Sequence, residues 1–421
     1  MSSLIHDLVA TTAPSPLSLA YVEIPGALDR KLTLDNLFAT MMGWHNAKNF
    51  GIVGDGVADD TGAIQAAFQT IVTAGGGTIF FPAGTYLLST AQGGTGVAQV
   101  EFPVVGDGAG ISTTQQVTLR ILGALPPPTS GELTALPVDG YTIFKSTMTT
   151  GTHTSVFRSP GTGRNNLHVD WRDSIFQCPA NPNYHALDCR YQQDTIFRHL
   201  LAHAGGMAYS TVTQPTHSAA AFLFPQQHKA VGVSAQNMMV WGYPIGYYLG
   251  ELLTDGINLT ASACLEAIEQ PDNTHPNWLH SFTALECARV IKSVASGSAG
   301  LHIGQLDIEN ANGQFAGWMD KINHIDDGGQ LYGTLNYHVV NANSSETDTF
   351  TKSGGANLIC SNQRGFVMPV AVSALPTTPK AGMVIPVTDS NTVTWGATIA
   401  GGGANPVLAV YNGTNWTVAG K

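Results

Sequence analysis

The chain has 421 residues, of which 43% are hydrophobic and only 11% charged, less than half of the roughly 25% usual for soluble domains. With 47 glycines and 22 prolines it turns too often for a helical bundle, and its polar surface has to come from Ser, Thr, Asn, Gln and Gly. A formal charge of −11 with only 18 Lys and Arg argues against a nucleic-acid binder, because phosphate neutralisation needs cations, and favours uncharged carbohydrate as the partner.

Residues 1–45 stand apart. The first twenty carry neither a basic region nor a continuous apolar core, so a Sec signal pattern is missing. No run approaches the roughly 18 apolar residues of a transmembrane helix. Synthesis in the cytoplasm follows as the expectation, with no membrane partner. Two short strands are expected, then a helix capped by Thr33 with Leu34, Leu37, Phe38 and Met41 on one face. This is too little for a core, so the segment should dock on a neighbour.

Residues 46–365 form the body. Short apolar or β-branched runs alternate with Gly, Asn, Asp and Pro, and strands recur about every 20–25 residues, which points to a coiled parallel sheet. Cys264 and Cys287 lie 23 apart, and Asn237 and Asn258 lie 21 apart, so each pair should stack on successive turns. The five cysteines (Cys178, Cys189, Cys264, Cys287, Cys360) are odd in number and scattered, which reads as buried thiols rather than a disulfide framework. Residues 366–421 change to short alternating segments with turns at Gly401–Gly403 and Asn412–Gly413. They read as a small β module anchored by Trp395 and Trp416, serving trimerisation or binding.

Within the body, Asn49–Ser89 has a helix at Gly62–Val72 capped by Asp59, Asp60 and Thr61, with Ala63, Ile64, Ala67, Phe68 and Ile71 on one face. Gly75–Gly77 ends it and Thr78–Phe81 begins the first stacked strand. The whole of this stretch resembles the opening of the pectate-lyase superfamily, which is common in phage tailspikes. The resemblance implies an all-β, right-handed parallel β-helix with an N-terminal capping α-helix and a small C-terminal β module. The N-terminal segment resembles adaptor segments of phage tail proteins. Together these imply a homotrimer that binds a bacterial exopolysaccharide or capsule, with residues 1–45 attached to a tail or baseplate protein. They also imply a virion location, with release by lysis.

Glycoside hydrolysis needs two carboxylates, roughly 5–9.5 Å apart depending on stereochemistry. Stacked strands repeat at about 4.8 Å, so acids one or two turns apart are candidates. Glu266, Glu286, Asp307 and Asp327 follow at intervals of 20, 21 and 20. Period-two alternation turns Glu286 outward, and projects Gln305, Asp307 and Glu309 together. Asp307, Glu309, Glu286 and Glu266 are the candidate catalytic acids. Gln305, Trp171 and the aromatic run Trp241, Tyr243, Tyr247 and Tyr248 are the candidate sugar contacts, because rings stack on the apolar faces of sugars. A second acidic group is Asp170, Asp173, Asp188 and Asp194. Arg164, Arg172 and Arg289 would hold a carboxylate if the polymer were acidic.

Other chemistry is not supported. His199 and His203 have helical spacing but lack the adjacent Glu of a zinc protease, so no metal is expected. The Gly54–Gly56 loop lacks the GK[ST] of a phosphate loop, no Gly-x-Ser-x-Gly elbow is present, and no cofactor is implied. Three readings stay open: a hydrolytic tailspike-type depolymerase, a receptor-binding fibre of the same fold without a carboxylate pair, and a cell-encoded polysaccharide hydrolase or lyase.

Overall fold

Three aspartates organise the first described turn. The Asp60 carboxylate accepts the amides of Val53 at 2.6 Å and Gly54 at 2.9 Å, and Asp55 accepts those of Val57 and Ala58, each at 2.8 Å. Gly54 has φ +65°, and a Cβ there would lie 2.5 Å from the Tyr86 ring, so only glycine fits. Asp60 occupies the cap position of helix α1 (Thr61–Thr73) without capping it. Asp59 caps instead, accepting Thr61 N at 3.1 Å while also holding Thr90 Oγ1 at 2.8 Å. The helix extends one residue beyond the expected range at each end. Ile64, Ala67, Phe68, Ile71 and Val72 form its buried face, and Phe68 stacks on Phe102 at 6.1 Å.

The computed structural model describes residues 43–90, 98–106, 116–129, 139–148, 155–160, 165–180, 182–192, 194–205, 219–224, 232–249, 255–270, 277–292, 301–308, 369–377 and 379–420. The backbone alone is described for 18–20, 32–33, 253–254, 293, 309, 325–327, 333–340, 351–352 and 358–362.

Beyond α1 the chain winds as a right-handed parallel β-helix. One wall is a fourteen-stranded sheet and the other a nine-stranded sheet. The first contains six long strands, each hydrogen-bonded in parallel to the next: β1 (Leu167–Cys178), β2 (Asp194–Ala204), β3 (Gly232–Trp241), β4 (Leu253–Ser262), β5 (Asn277–Leu285) and β6 (Leu301–Glu309). After each comes a short strand of the second wall, for example Ile245–Tyr248, Glu266–Gln270 and Arg289–Ser293. The large sheet already includes Trp44–Asn46, paired with Gly77–Phe80.

The long strands bend at single left-handed residues. Asp173, His199, Asn237 and Asn258 all have φ between 51° and 59°, a conformation that polar Asn, Asp and His tolerate best. Their side chains form a ladder along the stack. Ser281 Oγ donates to Asn258 Oδ1 at 2.9 Å, and Asn258 Nδ2 donates to Asn237 Oδ1 at 3.0 Å. Asn237 Nδ2 donates to His199 Nε2 at 3.2 Å, and His199 Nδ1 donates to Asp173 Oδ1 at 3.0 Å. The two asparagines stack as their spacing indicates. Cys264 and Cys287 stack too, within hydrogen-bond reach of each other, and burial first, then Cys287, pushes the Cys264 thiol far above its ordinary range. All four described cysteines are free and buried.

Coil length is less regular than the sequence suggests. Val169 pairs with Thr195 and Thr195 with Val233, so the second of these steps is almost half as long again as the first. The later steps, Ala235 to Gly256 and Phe282 to Leu306, are shorter than either. Connections of different length are spliced between strands that keep one rise.

At the C-terminus, Val384–Ser390, Asn405–Tyr411 and Trp416–Gly420 form an antiparallel sheet over Val387, Ile399, Val407, Ala409 and Val418, against which Trp416 packs. Trp395 is 77% exposed and is no anchor. Near the N-terminus Ser18–Ala20 pairs with Leu32–Thr33, which gives the two expected strands; the helix expected at 34–42 lies outside the described residues. Among the described residues no helix is long and apolar enough to cross a membrane.

Candidate functional site

Alternation along β1–β6 decides which side chains leave the core. Before the bend the outward positions are His168, Asp170 and Arg172 on β1, Ile196 and Arg198 on β2, Ser234 and Gln236 on β3, Asp255 on β4, Trp278 and His280 on β5, and His302 on β6. After it, Thr260, Thr283 and Asp307 share a column. This face is the polar, accessible side of the large sheet.

On β3–β6 it carries several groups of interacting side chains. Gln236 Nε2 donates to Asp255 Oδ2 at 2.8 Å and to Ser234 Oγ at 3.2 Å. His280 Nε2 lies 3.5 Å from Asp255 Oδ1. Trp278 is 48% exposed, and its ring stacks on His302 with centroids 4.0 Å apart and planes 11° from parallel. Two coils above Asp255, Gln305 Nε2 donates to Asp307 Oδ2 at 2.8 Å. Here an exposed flat ring, two half-exposed carboxylates and an imidazole lie on three successive coils. That is the equipment for stacking on a sugar and moving a proton.

Of the expected acids, Asp307 with its partner Gln305 belongs to this face. Glu309 follows on the same strand, opposite Leu285, and its side chain lies outside the described residues. Glu266 and Glu286 do not belong to it. The even spacing of the four acids falls short of the actual coils: the position stacked on Glu266 is Arg289 rather than Glu286, and the one beneath Asp307 is Thr283. Each step therefore slips around the cross-section, and no column forms. Glu286 sits at the corner after β5 with φ 50° and is 3% exposed, so it does not project outward. Glu266 lies on the short-strand wall. Arg289 Nη1 reaches it at 2.8 Å and Lys292 Nζ at 2.9 Å. Asp327 is on that wall as well, opposite Ser293.

Burial, followed by the Glu269 carboxyl, pushes Glu266 up to about 7 against the pull of Lys292. An acid whose folded pKa is raised binds its proton more tightly in the folded chain. Its stabilisation is complete below pH 4.5 and is lost as pH rises through about 7. The loss amounts to about 3 kcal/mol at most. Thermal melts of wild type and Glu266→Gln at pH 4.5, 6 and 8 check this: the variant should have the flatter profile. Parallel profiles would mean that Arg289 and Lys292 keep Glu266 ionised throughout.

The aromatic candidates are corrected more widely. Trp171, Trp241, Tyr243 and Tyr247 are all fully buried, so none offers a ring face to a sugar. Trp171 is a core hub, with Phe157, Phe176, Phe144 and Phe102 centred 4.7–6.2 Å away. Tyr247 stacks on Phe222 at 5.8 Å and donates its hydroxyl to Thr260 O. Tyr248 alone stays partly exposed, on the short-strand wall beside Leu223 and Ile245. In the second acidic group, Asp170 is buried. Burial would raise its carboxyl, but hydrogen bonds from Arg172 and Arg120 outweigh this and hold it below the usual range. Asp188 is buried and paired with Arg190 at 2.7 Å. Both are structural ion pairs. Arg164 lies outside the described residues.

Sequence reasoning missed Asp255, Trp278, His280 and His302. A signal existed: in Asn277–Phe282 (NWLHSF) period two places Trp278 and His280 opposite Leu279. Among the described residues no three His, Cys, Asp or Glu side chains are grouped to hold a metal.

Comparison with known proteins bears on the same architecture. Mannuronan C5-epimerase AlgE4 of Azotobacter vinelandii is 45% identical over 71 residues, which is 17% of this chain and 13% of that protein. The chain thus matches only a small part of such a relative. Among solved structures, ORF18 of Geobacillus virus E2 aligns over 91% of this chain and 79% of its own at 13% identity, TM-score 0.36. The phiAB6 tailspike, solved in complex with oligosaccharides of Acinetobacter baumannii surface polysaccharide, aligns over 92% and 57% at 14% identity, TM-score 0.31. The family described as rhamnogalacturonase A/epimerase, pectate lyase-like, matches residues 44–292, from the first strand of the large sheet through the strand beyond β5. By that match, which takes in more than half of its length, the chain belongs to the rhamnogalacturonase A/epimerase, pectate lyase-like family.

Proposed function

We propose that this chain binds a bacterial surface polysaccharide along the outward face of β3–β6 and hydrolyses it at one of two carboxylates there, Asp255 or Asp307. One observation supports this most: the exposed Trp278–His302 stack lies on the same face as the Asp255–His280 pair and Asp307. One face of the Trp278 ring is covered by His302; the other would hold the apolar face of a sugar. Asp307 stands two coils above Asp255, about 9.6 Å in rise, and five positions further along its strand, past the bend. The two are therefore too far apart to form one acid–base pair; each would act with a nearer partner, His280 for Asp255 and Glu309 for Asp307. Glu309 would flank the cleft. In line with the resemblance at Asn49–Ser89, the enzyme is proposed to work as a tailspike-type homotrimer in a phage virion, attached through residues 1–45 and carrying 366–421 as a trimerisation or binding module. The proposed assignment treats 46–365 as the catalytic domain.

The His280–Asp255 contact favours one further reading. An imidazole held by a carboxylate is a suitable base for removing a sugar C–H proton, the first step of elimination or epimerisation. Product chemistry separates the two. Incubation with purified bacterial polysaccharides should release reducing ends without an unsaturated, ultraviolet-absorbing sugar. An unsaturated product would transfer the chemistry to His280. Binding without any cleavage would make the protein a receptor-binding fibre.

A further inference from the structure

Arg172 on β1, Arg198 on β2 and Gln236 on β3 form one outward column. Adjacent strands are about 4.8 Å apart, so two guanidinium groups stand one above the other and repel unless an anion lies between them. Arg172 has its counter-charge: Nε reaches Asp170 Oδ1 at 2.7 Å and its terminal nitrogen reaches Oδ2 at 2.8 Å. Arg120 draws on that same carboxylate at 2.9 Å, so two cations share one anion. Arg198 has none. Its Nε is buried without an acceptor, and among the described residues no acid pairs with it. The side chain as a whole is only half-buried, so its charge is open to an anion that arrives from solvent.

The other charged groups nearby do not serve it. Asp173 is engaged by His199 at 3.0 Å. Asp194 lies near the start of the same strand, roughly 13 Å away along it. Burial lowers the pKa of His168, which keeps that ring neutral. Asp255 is held by Gln236, the next member of the column.

We propose that Arg198, supported by Arg172, receives a singly charged oxyanion of the bound glycan two coils from Asp255, and so selects acid-bearing polymers over neutral ones. This rests on the reading that the face holds a glycan. A planar guanidinium matches a carboxylate, a sulfate ester or a phosphodiester through paired N–H donors. The composition favoured an uncharged partner, because the whole chain is acidic. At this column, however, two guanidinium groups are stacked one coil apart, and a bound group meets them first.

The test uses the full chain and isothermal titration with four probes: an oligouronate, its carboxyl-reduced form, a sulfated oligosaccharide and a phosphodiester-linked one. Wild type should bind one acidic class at least tenfold tighter than the reduced form. Arg198→Gln should lose that preference while its affinity for the reduced form and its circular dichroism stay unchanged. Arg198→Lys, which keeps the charge without the fork, should recover only part. Whichever acidic class wins identifies the source of the oxyanion. If wild type binds and cleaves acidic and reduced forms equally, the selectivity is wrong and the glycan reading stands. If Arg198→Gln keeps the tenfold preference, the oxyanion is held elsewhere. If no probe is bound or cleaved, both readings fall.

Discussion

Replacing Trp171 by Ala should lower stability by about 3–5 kcal/mol, the range for removing a large buried ring. The reason is its position. Four phenylalanines surround it, from α1's neighbour Phe102 to Phe176 at the far end of its own strand. Its indole Nε1 donates to Ser174 Oγ at 2.9 Å, beside the bend at Asp173. Truncation opens a cavity and leaves that hydroxyl without its donor. The expected measurement is a thermal midpoint lowered by several degrees, or loss of soluble protein. Trp171→Phe provides the control, since it fills most of the volume and keeps the fold. Folded Trp171→Phe should bind polysaccharide as wild type does. A selective loss of affinity in that variant, without a change in melting, would return Trp171 to the sugar contacts.

Of Asp255→Asn and Asp307→Asn, the one at the catalytic centre should reduce cleavage by about 10²–10⁴-fold, the usual contribution of a positioned acid or base, and the other should leave it near wild type. Both residues are accessible and neither supports the core, so melting temperature and polysaccharide affinity should stay near wild type. Asp255→Asn keeps a partner for Gln236 and removes the charge beside His280. Rates are measured as reducing ends released from the polymer that wild type cleaves. Full activity in Asp307→Asn alone would place the chemistry at Asp255 and His280. Full activity in both variants would remove the chemistry from this face.

What can be read from the sequence is what local chemistry dictates. The Gly-Asp-Gly turn, α1 and the strand after it are all specified inside the single stretch Asn49–Ser89, so their pattern is legible. The stacking of Asn237 on Asn258 and of Cys264 on Cys287 is legible because one coil separates each pair, and like residues stay in register. The acid column fails for the same reason in reverse. The coil that starts at Glu266 closes at Arg289, so counting only as far as Glu286 stops short of the wall, at a corner. The aromatic run fails because Trp241 to Tyr248 spans a strand end, a turn at Gly242 and a short strand. Period two holds within each piece, not across them, and Tyr247 and Tyr248 therefore face opposite ways. Trp278 and His280 are within reach of the alternation rule, but the acid next to their strand, Glu286, lies at its far end.

The ladder at the bend has a direction. Starting from Ser281, every member gives a hydrogen to the one before it in the chain, through Asn258, Asn237 and His199, and the sequence stops at Asp173, which can only receive. That one-way traffic fixes the imidazole's tautomer, with hydrogen on Nδ1 and a bare lone pair at Nε2. Adding a second hydrogen to the ring would set two givers face to face at Asn237, and the amides above would have to turn over one after another to relieve the clash. A single proton on His199 is thus felt three storeys up at Ser281, the position in register with Gln305.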